Sequence, residues 1–94
     1  MTTDDSPIEH LPERGRFQTR IDGHLCFADY RLAGGRMQMV HTEVHPGLQG
    51  HGVAARLVQA ALDHARAHGL KVVPLCSYVR VYMQRHPQTQ DLLA

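Results

Sequence analysis

Tryptophan is absent from this 94-residue sequence, cysteine occurs only twice, and the formal net charge is only +1. Cys26 and Cys76 provide no disulfide framework and fit a reducing compartment. A net charge close to zero gives no general electrostatic reason to bind nucleic acid or an anionic membrane. No apolar run approaches the roughly 20 residues that span a bilayer, and the polar, acidic residues 1–12 lack the pattern of a signal peptide. We therefore expect a cytoplasmic protein.

The length and composition indicate one ordinary globular domain. A chain of 94 residues is large enough for a single hydrophobic core and too small for two. Hydrophobic residues make up 43% and charged residues 20% of the sequence, as in soluble proteins. Pro7 and Pro12 lie among charged and small residues, so residues 1–14 are predicted to be a flexible lead-in. Residues 15–94 are predicted to form the domain.

Eight histidines raise the question of a metal site. His64 and His68 are four residues apart and would share one face of a helix. No cysteine or carboxylate cluster accompanies them at the spacing that metal sites require. We therefore expect no metal and interpret these residues as a solvated helix end, where histidine is favourable.

Alternation of apolar and polar residues predicts three strands, over residues 17–22, 24–32 and 37–44. Asp22–Gly23 predicts a hairpin between the first two, because a type I′ turn needs positive φ at both central positions. Gly34–Gly35 supplies the second turn. The largely apolar face of the second strand is expected to be Cys26, Ala28, Tyr30 and Leu32. Three strands joined in this way form an antiparallel meander.

The clearest predicted element is a helix from about Gly52 to His68, ended by Gly69. Its apolar residues recur at spacings of three and four and form one stripe that must face a sheet: Ala54, Leu57, Val58, Ala61, Leu62 and Ala65. The apolar run over residues 70–75 then predicts a short strand, which a right-handed βαβ connection would place parallel to the third strand or near it.

A second helix is predicted to begin at the N-cap Ser77 and to end near Arg85, before Pro87. Residues 88–94 are too short to assign. The expected fold class is therefore α+β: a three-stranded antiparallel meander, a helix, a parallel strand and a C-terminal helix.

The turn between the third strand and the first helix has the features of an anion site. Gly47, Gly50 and Gly52 leave the main chain accessible to a ligand. The helix that follows begins with amide groups that have no partner inside the helix, and its dipole places partial positive charge there. A phosphate or pyrophosphate would be bound well at this position.

These residues resemble the acyl-coenzyme A motif of the GNAT superfamily of N-acetyltransferases, (Q/R)xxGx(G/A), which the segment Gln49-Gly50-His51-Gly52-Val53-Ala54 matches. Val44 and Pro46 end the preceding strand as they often do in that superfamily, and the order of elements over residues 17–85 agrees. The segment 74–78, with Tyr82 and His86–Pro87, is similar to small members that consist of little but the core.

The resemblance implies a fold, a cofactor and an activity. Acetyl-CoA would be the acetyl donor, with its pyrophosphate held by Gln49 and the backbone N–H groups of Gly50, His51, Gly52, Val53 and Ala54. Its pantetheine would lie between the main chain of Glu43, Val44 and His45 on one side and the region of Leu75 and Cys76 on the other. The acceptor would be an unidentified amine, either on a small molecule or on a lysine or N-terminus of a protein. The alternative is a coenzyme A-binding or protein-interaction module with little catalytic activity.

Larger GNAT enzymes have two helices between their first and second strands, which help to form the acceptor site. Here only a tight turn at Gly23 separates the first two predicted strands. The acceptor site is therefore expected to be more open, or to be completed by another chain, so that homo-oligomers are possible.

Several residues are candidates for the chemistry of acetyl transfer. Glu43, or His41 through a water molecule, could act as the base, and both share one strand face with His45 if the strand is regular. Cys76 precedes a helix N-terminus, where the dipole favours a thiolate, so it could carry the acetyl group transiently or simply line the pocket. The resemblance implies that Tyr78 or Tyr82 protonates the departing thiolate, and one of the two is expected to pack the helix on the sheet.

Nucleic-acid binding is a weaker hypothesis. Arg14, Arg16 and Arg20 lie close together in the sequence, but they lack the aromatic and basic clustering that such a surface usually shows. We expect neither nucleic acid nor a membrane as a partner.

Overall fold

The structure, a computed structural model, describes residues 6–94, and a single five-stranded sheet organises them. The strands lie side by side in chain order; the first four are antiparallel and the fifth is parallel to the fourth. The elements are β1 (Glu9–Leu11), β2 (Arg16–Ile21), β3 (His24–Ala33), β4 (Arg36–Glu43), α1 (Val53–Ala67), β5 (Lys71–Pro74) and α2 (Ser77–Arg85). Two 3₁₀ turns, Pro46–Leu48 and Pro87–Leu92, complete the order. The predicted α+β class, the three-stranded antiparallel meander, here β2 to β4, and the parallel strand after the first helix, here β5, are confirmed.

Local signals position the turns and the first helix as predicted. Asp22 and Gly23 have φ of 50° and 79°, as a type I′ hairpin requires. At the end of α1 the Leu70 N–H donates to the Ala65 carbonyl at 2.9 Å, with Gly69 at φ 66°. This pattern is the glycine-dependent Schellman ending of a helix, and it turns the chain directly into β5.

The predicted flexible lead-in is wrong over its second half, because Glu9–Leu11 forms strand β1 against β2. The His10 ring stacks on Phe17 at 4.0 Å and meets the edge of His64 at 4.5 Å, while its Nε2 is 2.5 Å from the Tyr30 hydroxyl. Burial lowers the pKa of both His10 and His64, so the neutral rings pack with little desolvation cost. Three residues carry too little alternation to predict a strand. Residues 1–5 of the lead-in lie outside the described residues.

Two further expectations are corrected. Leu32 is 58% exposed, although it alternates with buried residues, because β2 begins at Arg16 opposite Asp29 and leaves the end of β3 without a neighbour on that side. The N-cap of α2 is Cys76, which makes no side-chain cap bond, and Ser77 is the first helical residue. The extended ψ of 130° at Cys76 brings the chain straight from β5 into the helix.

The hydrophobic core lies on one face of the sheet. It combines inward residues of β2 to β5 with α1, α2 and the last 3₁₀ turn, and it includes Phe17, Ile21, Met37, Met39, Leu57, Leu62, Val72, Val79, Met83 and Leu92. The C-terminal residues, which the sequence left unassigned, close this core: Leu92 is buried and Leu93 bridges to Val72. Among residues 6–94 no element covers the opposite face. No helix in that range is long and apolar enough to cross a membrane.

Gly15, in the turn between β1 and β2, provides a test of this packing. Its φ is 65°, and a Cβ there would lie 2.3 Å from the carbonyl oxygen of Tyr30. The backbone N–H of Tyr30 donates to the Gly15 carbonyl at 2.8 Å, so the two backbones are held together. We expect Gly15→Ala to lower the free energy of unfolding by about 3 kcal/mol or more, since backbone must move in addition to the strain of positive φ. Urea denaturation measures the change.

Gly23→Ala is the matched control. Its φ is also positive, 79°, but no heavy atom lies within 4 Å of the point that an alanine Cβ would occupy there, so only the conformational strain of about 1–2 kcal/mol applies. Equal losses for the two variants would contradict the close approach at Gly15.

Candidate functional site

A β-bulge in β4 decides which residues face the site. Met37 and Met39 are fully buried against the helices, and regular alternation would place His41 and Glu43 on that same face. The register shifts instead: Tyr30 pairs with Met39 but Asp29 pairs with His41. One extra residue, Val40, therefore lies between Met39 and His41, and the alternation of faces reverses after it.

The reversal turns Thr42 toward the helices and His41 and Glu43 toward the opposite face. Thr42 pairs with Ala28, which is fully buried under α1, whereas Glu43 pairs with Phe27 on the other face. The predicted sharing of one face by His41 and Glu43 therefore holds. His45 lies beyond the strand and stacks on His24 with ring centroids 3.6 Å apart.

The main chain of β4 becomes free just after the bulge begins. Pairing with β5 ends at Met39 and Pro74, and the Cys76 N–H donates to the Met39 carbonyl at 2.9 Å. In the part of the chain that the structure describes, no strand lies beside residues 40–43 on this side. The gap opens directly at the N-terminus of α2.

The loop after β4 ends in a helix N-terminus whose amides are free. Gly50 and Gly52 have φ of 87° and 79°, which only glycine adopts without strain. The N-cap Gly52 has no side chain to cap the helix, the first turn has no acidic residue, and the first helical bond is from the Arg56 N–H to Gly52 O at 3.0 Å. The amides of residues 53–55 therefore lack a helical acceptor and point at any ligand in front of them.

A cleft of about 490 Å³ joins the loop, the start of α1, the end of β4 and α2. It is lined by Thr42, Val44, Leu48, Gln49, Gly50, Gly52, Val53, Ala54, Ala55 and Tyr78. Six of the eight residues predicted to bind the cofactor are among these; His45 and His51 are not, and the His51 side chain is exposed.

Three lining residues were missed by the sequence reasoning. Leu48 is buried in the 3₁₀ turn, and its large apolar side chain in a glycine-rich loop was a usable signal. Ala55 lies one residue beyond the motif, in the same helical turn. Thr42 gave no signal, because only the bulge turns it into the cleft.

Cys76 does not itself line the cleft, but it contacts a residue that does. Its half-buried thiol donates to the Thr42 hydroxyl at 3.7 Å, and Cys76 is the N-cap of α2. Cys26, by contrast, is fully buried in the core. The structure thus places one thiol behind the wall of the cleft, at the N-terminus of α2.

The two tyrosines of α2 have different environments. Tyr82 is buried; its hydroxyl donates to Gln59 Oε1 at 2.5 Å, and its ring stacks on His86 at 3.9 Å. Tyr78 is 40% exposed and lines the cleft. Partial burial raises the pKa of both hydroxyls, so each is protonated at neutral pH. Only Tyr78 has its side chain at the cleft.

His41 and Glu43 form a pair on the far side of β4. His41 Nε2 is 3.1 Å from Glu43 Oε1, and the two side chains are 57% and 61% exposed. The structure therefore separates the predicted catalytic residues: Tyr78, and Cys76 through Thr42, belong to the cleft, while His41 and Glu43 lie on the other face of the same strand. Within residues 6–94, no three His, Cys, Asp or Glu side chains converge as metal ligands would.

Comparisons with known proteins identify the family. The family model described as GCN5-related N-acetyl-transferase matches residues 16–92. Protein NATD1 of Mus musculus is 33% identical over 88 residues, covering 90% of this chain and 80% of the mouse protein. Protein NATD1 of Xenopus tropicalis is 31% identical over 88 residues, covering 90% and 81%. The resemblance noted from the motif is confirmed.

The fold has a solved counterpart. The NMR solution structure of a GCN5-like protein from Staphylococcus aureus has a TM-score of 0.73 to this chain, at 24% sequence identity. The likeness covers 100% of this chain and 91% of that one. At this identity the comparison supports the fold.

Proposed function

Because the chain belongs to the GCN5-related N-acetyltransferase family, we propose that it binds acetyl-CoA in the cleft between β4, α1 and α2 and transfers the acetyl group to an amine in the cytoplasm. The observation that carries the proposal is the row of free amides at the start of α1, which opens into the cleft beside the unpaired edge of β4. Both halves of the donor find complementary groups there.

The pyrophosphate would lie at the loop, against the amides of residues 50–54, where the helix dipole adds partial positive charge. The uncapped Gly52 and the absence of acidic residues in the first turn leave no competing anion on this end of the helix. The pantetheine amides would bond the free main chain of β4 between Val40 and Val44, as an added strand does. This placement brings the thioester close to Thr42 and Tyr78.

The acetyl group would be transferred through Cys76. Cys76 would lose its thiol proton to solvent and attack the thioester carbonyl, the bond from carbon to the coenzyme A sulfur would break, and Tyr78 would supply a proton to the departing thiolate. A neutral amine then attacks the acetyl-Cys76 carbonyl; the amide bond forms, the bond to Cys76 breaks, and the proton lost by nitrogen passes to Glu43, directly or through His41. Direct attack of the amine on acetyl-CoA would use the same base and the same acid.

One observation favours the second candidate function, a coenzyme A-binding module with little catalysis. Both base candidates are more than half exposed to solvent. An exposed side chain is held less precisely against a substrate than one that packing encloses. The two functions share the cleft and differ in turnover.

The cofactor proposal is tested by placing a charge in the first turn of α1. Ala54→Glu keeps a good helix former at a position where an acidic residue stabilises the helix, so the fold is retained. The carboxylate would repel the pyrophosphate, and we expect the Kd for acetyl-CoA to rise about 10-fold or more, equal to about 1.4 kcal/mol. Isothermal titration calorimetry measures it.

Ala54→Gln is the control, since it has the same size without the charge. Absence of binding by the unmodified protein would overturn both candidate functions. Equal affinities of the Glu and Gln variants for acetyl-CoA would contradict the position of the pyrophosphate at this loop.

Tyr78 and Tyr82 allow a matched comparison of catalysis and packing. We expect Tyr78→Phe to lower kcat about 100-fold or more, the usual contribution of a general acid. Tyr82→Phe should keep kcat within about threefold and instead lower the free energy of unfolding by about 1 kcal/mol, through loss of the Gln59 bond. The value of kcat is measured by release of the coenzyme A thiol, with the best acceptor from an amine screen. The change in the free energy of unfolding is measured by thermal unfolding. A reversed pattern would make Tyr82 the acid.

The role of Cys76 is tested by intact-mass spectrometry after incubation with acetyl-CoA and without an amine. We expect one acetyl group on the protein, removable by neutral hydroxylamine as a thioester is, and none on Cys76→Ala. Cys26→Ala is the control; because Cys26 is buried, it should be acetylated like the unmodified protein. Equal acetylation of Cys76→Ala would leave direct transfer as the mechanism.

A further inference from the structure

The face of the sheet opposite the helices, here called the outer face, has a definite organisation. Its side chains come from alternate positions of β2, β3 and β4, with Glu9 of β1 at its edge. The charged side chains that it carries on the three longer strands are Arg16, Arg20, Asp29, Arg31, Arg36 and Glu43. In the described part of the chain no helix or loop packs over it. It ends at the gap beside β4, on the side from which an acceptor would approach.

A chain of contacts fixes the middle of the outer face. Arg16 donates to both carboxylate oxygens of Asp29, at 2.7 and 3.1 Å, and its guanidinium lies 3.8 Å from the centre of the Phe27 ring. The Phe27 ring is 5.9 Å from His41, which pairs with Glu43. These groups therefore present a pre-arranged surface that leads from β2 to the end of β4.

Charge on the outer face follows a simple pattern. Arg16 neutralises Asp29, so Glu43 is the negative group beside the gap, where an ammonium would be attracted. Arg20, Arg31 and Arg36 are exposed and make no side-chain ion pair or hydrogen bond within residues 6–94. At the far edge, Glu9 accepts a hydrogen bond from the Gln18 amide at 3.0 Å. Arg20 lies beside Leu25 and Arg31 is on the same strand as Leu25, six residues further on, which corresponds to about 20 Å. Phe27 lies between these two cationic positions.

The exposure of the site argues against a free small amine. His41 and Glu43 are 57% and 61% exposed, whereas sites for small ligands usually bury about 70–90% of the ligand surface. An amine at Glu43 would therefore gain little binding energy from its immediate surroundings. A larger contact would supply the remaining energy, and the outer face with its free arginines offers one.

We propose that the acceptor is an amine on a polypeptide, lysine or N-terminal, with acidic side chains nearby, bound across the outer face. An extended segment with acidic residues about three positions from the amine would reach toward Arg20 and Arg31 while the amine lies at Glu43. This inference rests on the proposed acetyl transfer and narrows its substrate class.

Synthetic peptides test the charge requirement. Each has one lysine, flanked three positions away on both sides by glutamate, by alanine or by arginine, and N-α-acetyl-lysine amide serves as the small amine. We expect kcat/KM to be about 10-fold higher for the acidic than for the neutral peptide, lower again for the basic one, and lowest for the small amine. Coenzyme A release, with acetylation verified by peptide mass, measures it.

Variants of the outer face link the preference to these arginines. Arg20→Glu combined with Arg31→Glu should remove or reverse the ratio between acidic and neutral peptides and leave the Kd for acetyl-CoA unchanged. Arg85→Glu, an exposed position on α2, is the control for charge and should keep the ratio.

The outcomes separate this inference from the proposed function. The inference alone is overturned if the protein binds acetyl-CoA but uses the small amine as efficiently as the peptides. It is also overturned if the arginine variants leave the ratio between acidic and neutral peptides unchanged. A protein that does not bind acetyl-CoA overturns both. Analytical ultracentrifugation tests a further outcome: if the unmodified protein is a dimer and the double arginine variant is a monomer, a second copy of the chain occupies the outer face. That result also overturns the inference.

Discussion

The bulge at Val40 is the constraint on which the site depends. It lies between Met39, which is locked in the core, and His41, which is not, and it changes the face of every later residue of β4. At the same point β4 loses its partner β5, because the Cys76 N–H takes the Met39 carbonyl and the chain turns into α2. The gap thus begins where β5 ends, and the one extra residue of β4 directs Thr42 toward it.

Buried neighbours on both sides hold this bulge in place. Met37 and Met39 have no exposed surface, and Thr42 pairs with the fully buried Ala28 on the same face. Removing the bulge would move either the methionines or Thr42 to the outer face, and each methionine lost from the core would cost about 2–5 kcal/mol. The alternation on either side of Val40 is therefore fixed by burial, and the separation of Cys76 and Tyr78 from Glu43 by the thickness of one strand follows from it.

Most of the fold could be predicted because its signals are local. Asp22–Gly23 and the stripe that includes Leu57 and Ala61 each specify their element within a few residues, and the free amides after Gly52 follow from helix geometry. The bulge has no such signal, since Val40 is an ordinary strand residue and the shift depends on burial across three strands. The direction of Thr42, and the distribution of the candidate catalytic residues over two faces, could therefore be learned only from the structure.

The small size of the domain has a consequence for how it would select an acceptor. β1 was not recognised in the sequence, and its presence moves the connection between the first two strands from Gly23 to residues 12–15. In larger members this connection contains two helices that help to form the acceptor site; here it is a tight turn closed by Gly15 under the Tyr30 carbonyl. In the proposed reaction, a domain without these walls would select its acceptor by what it displays on the open sheet, because charges spaced along strands bind an extended, oppositely charged chain better than a compact molecule. The open outer face would therefore favour an acceptor that brings its own surface to the site.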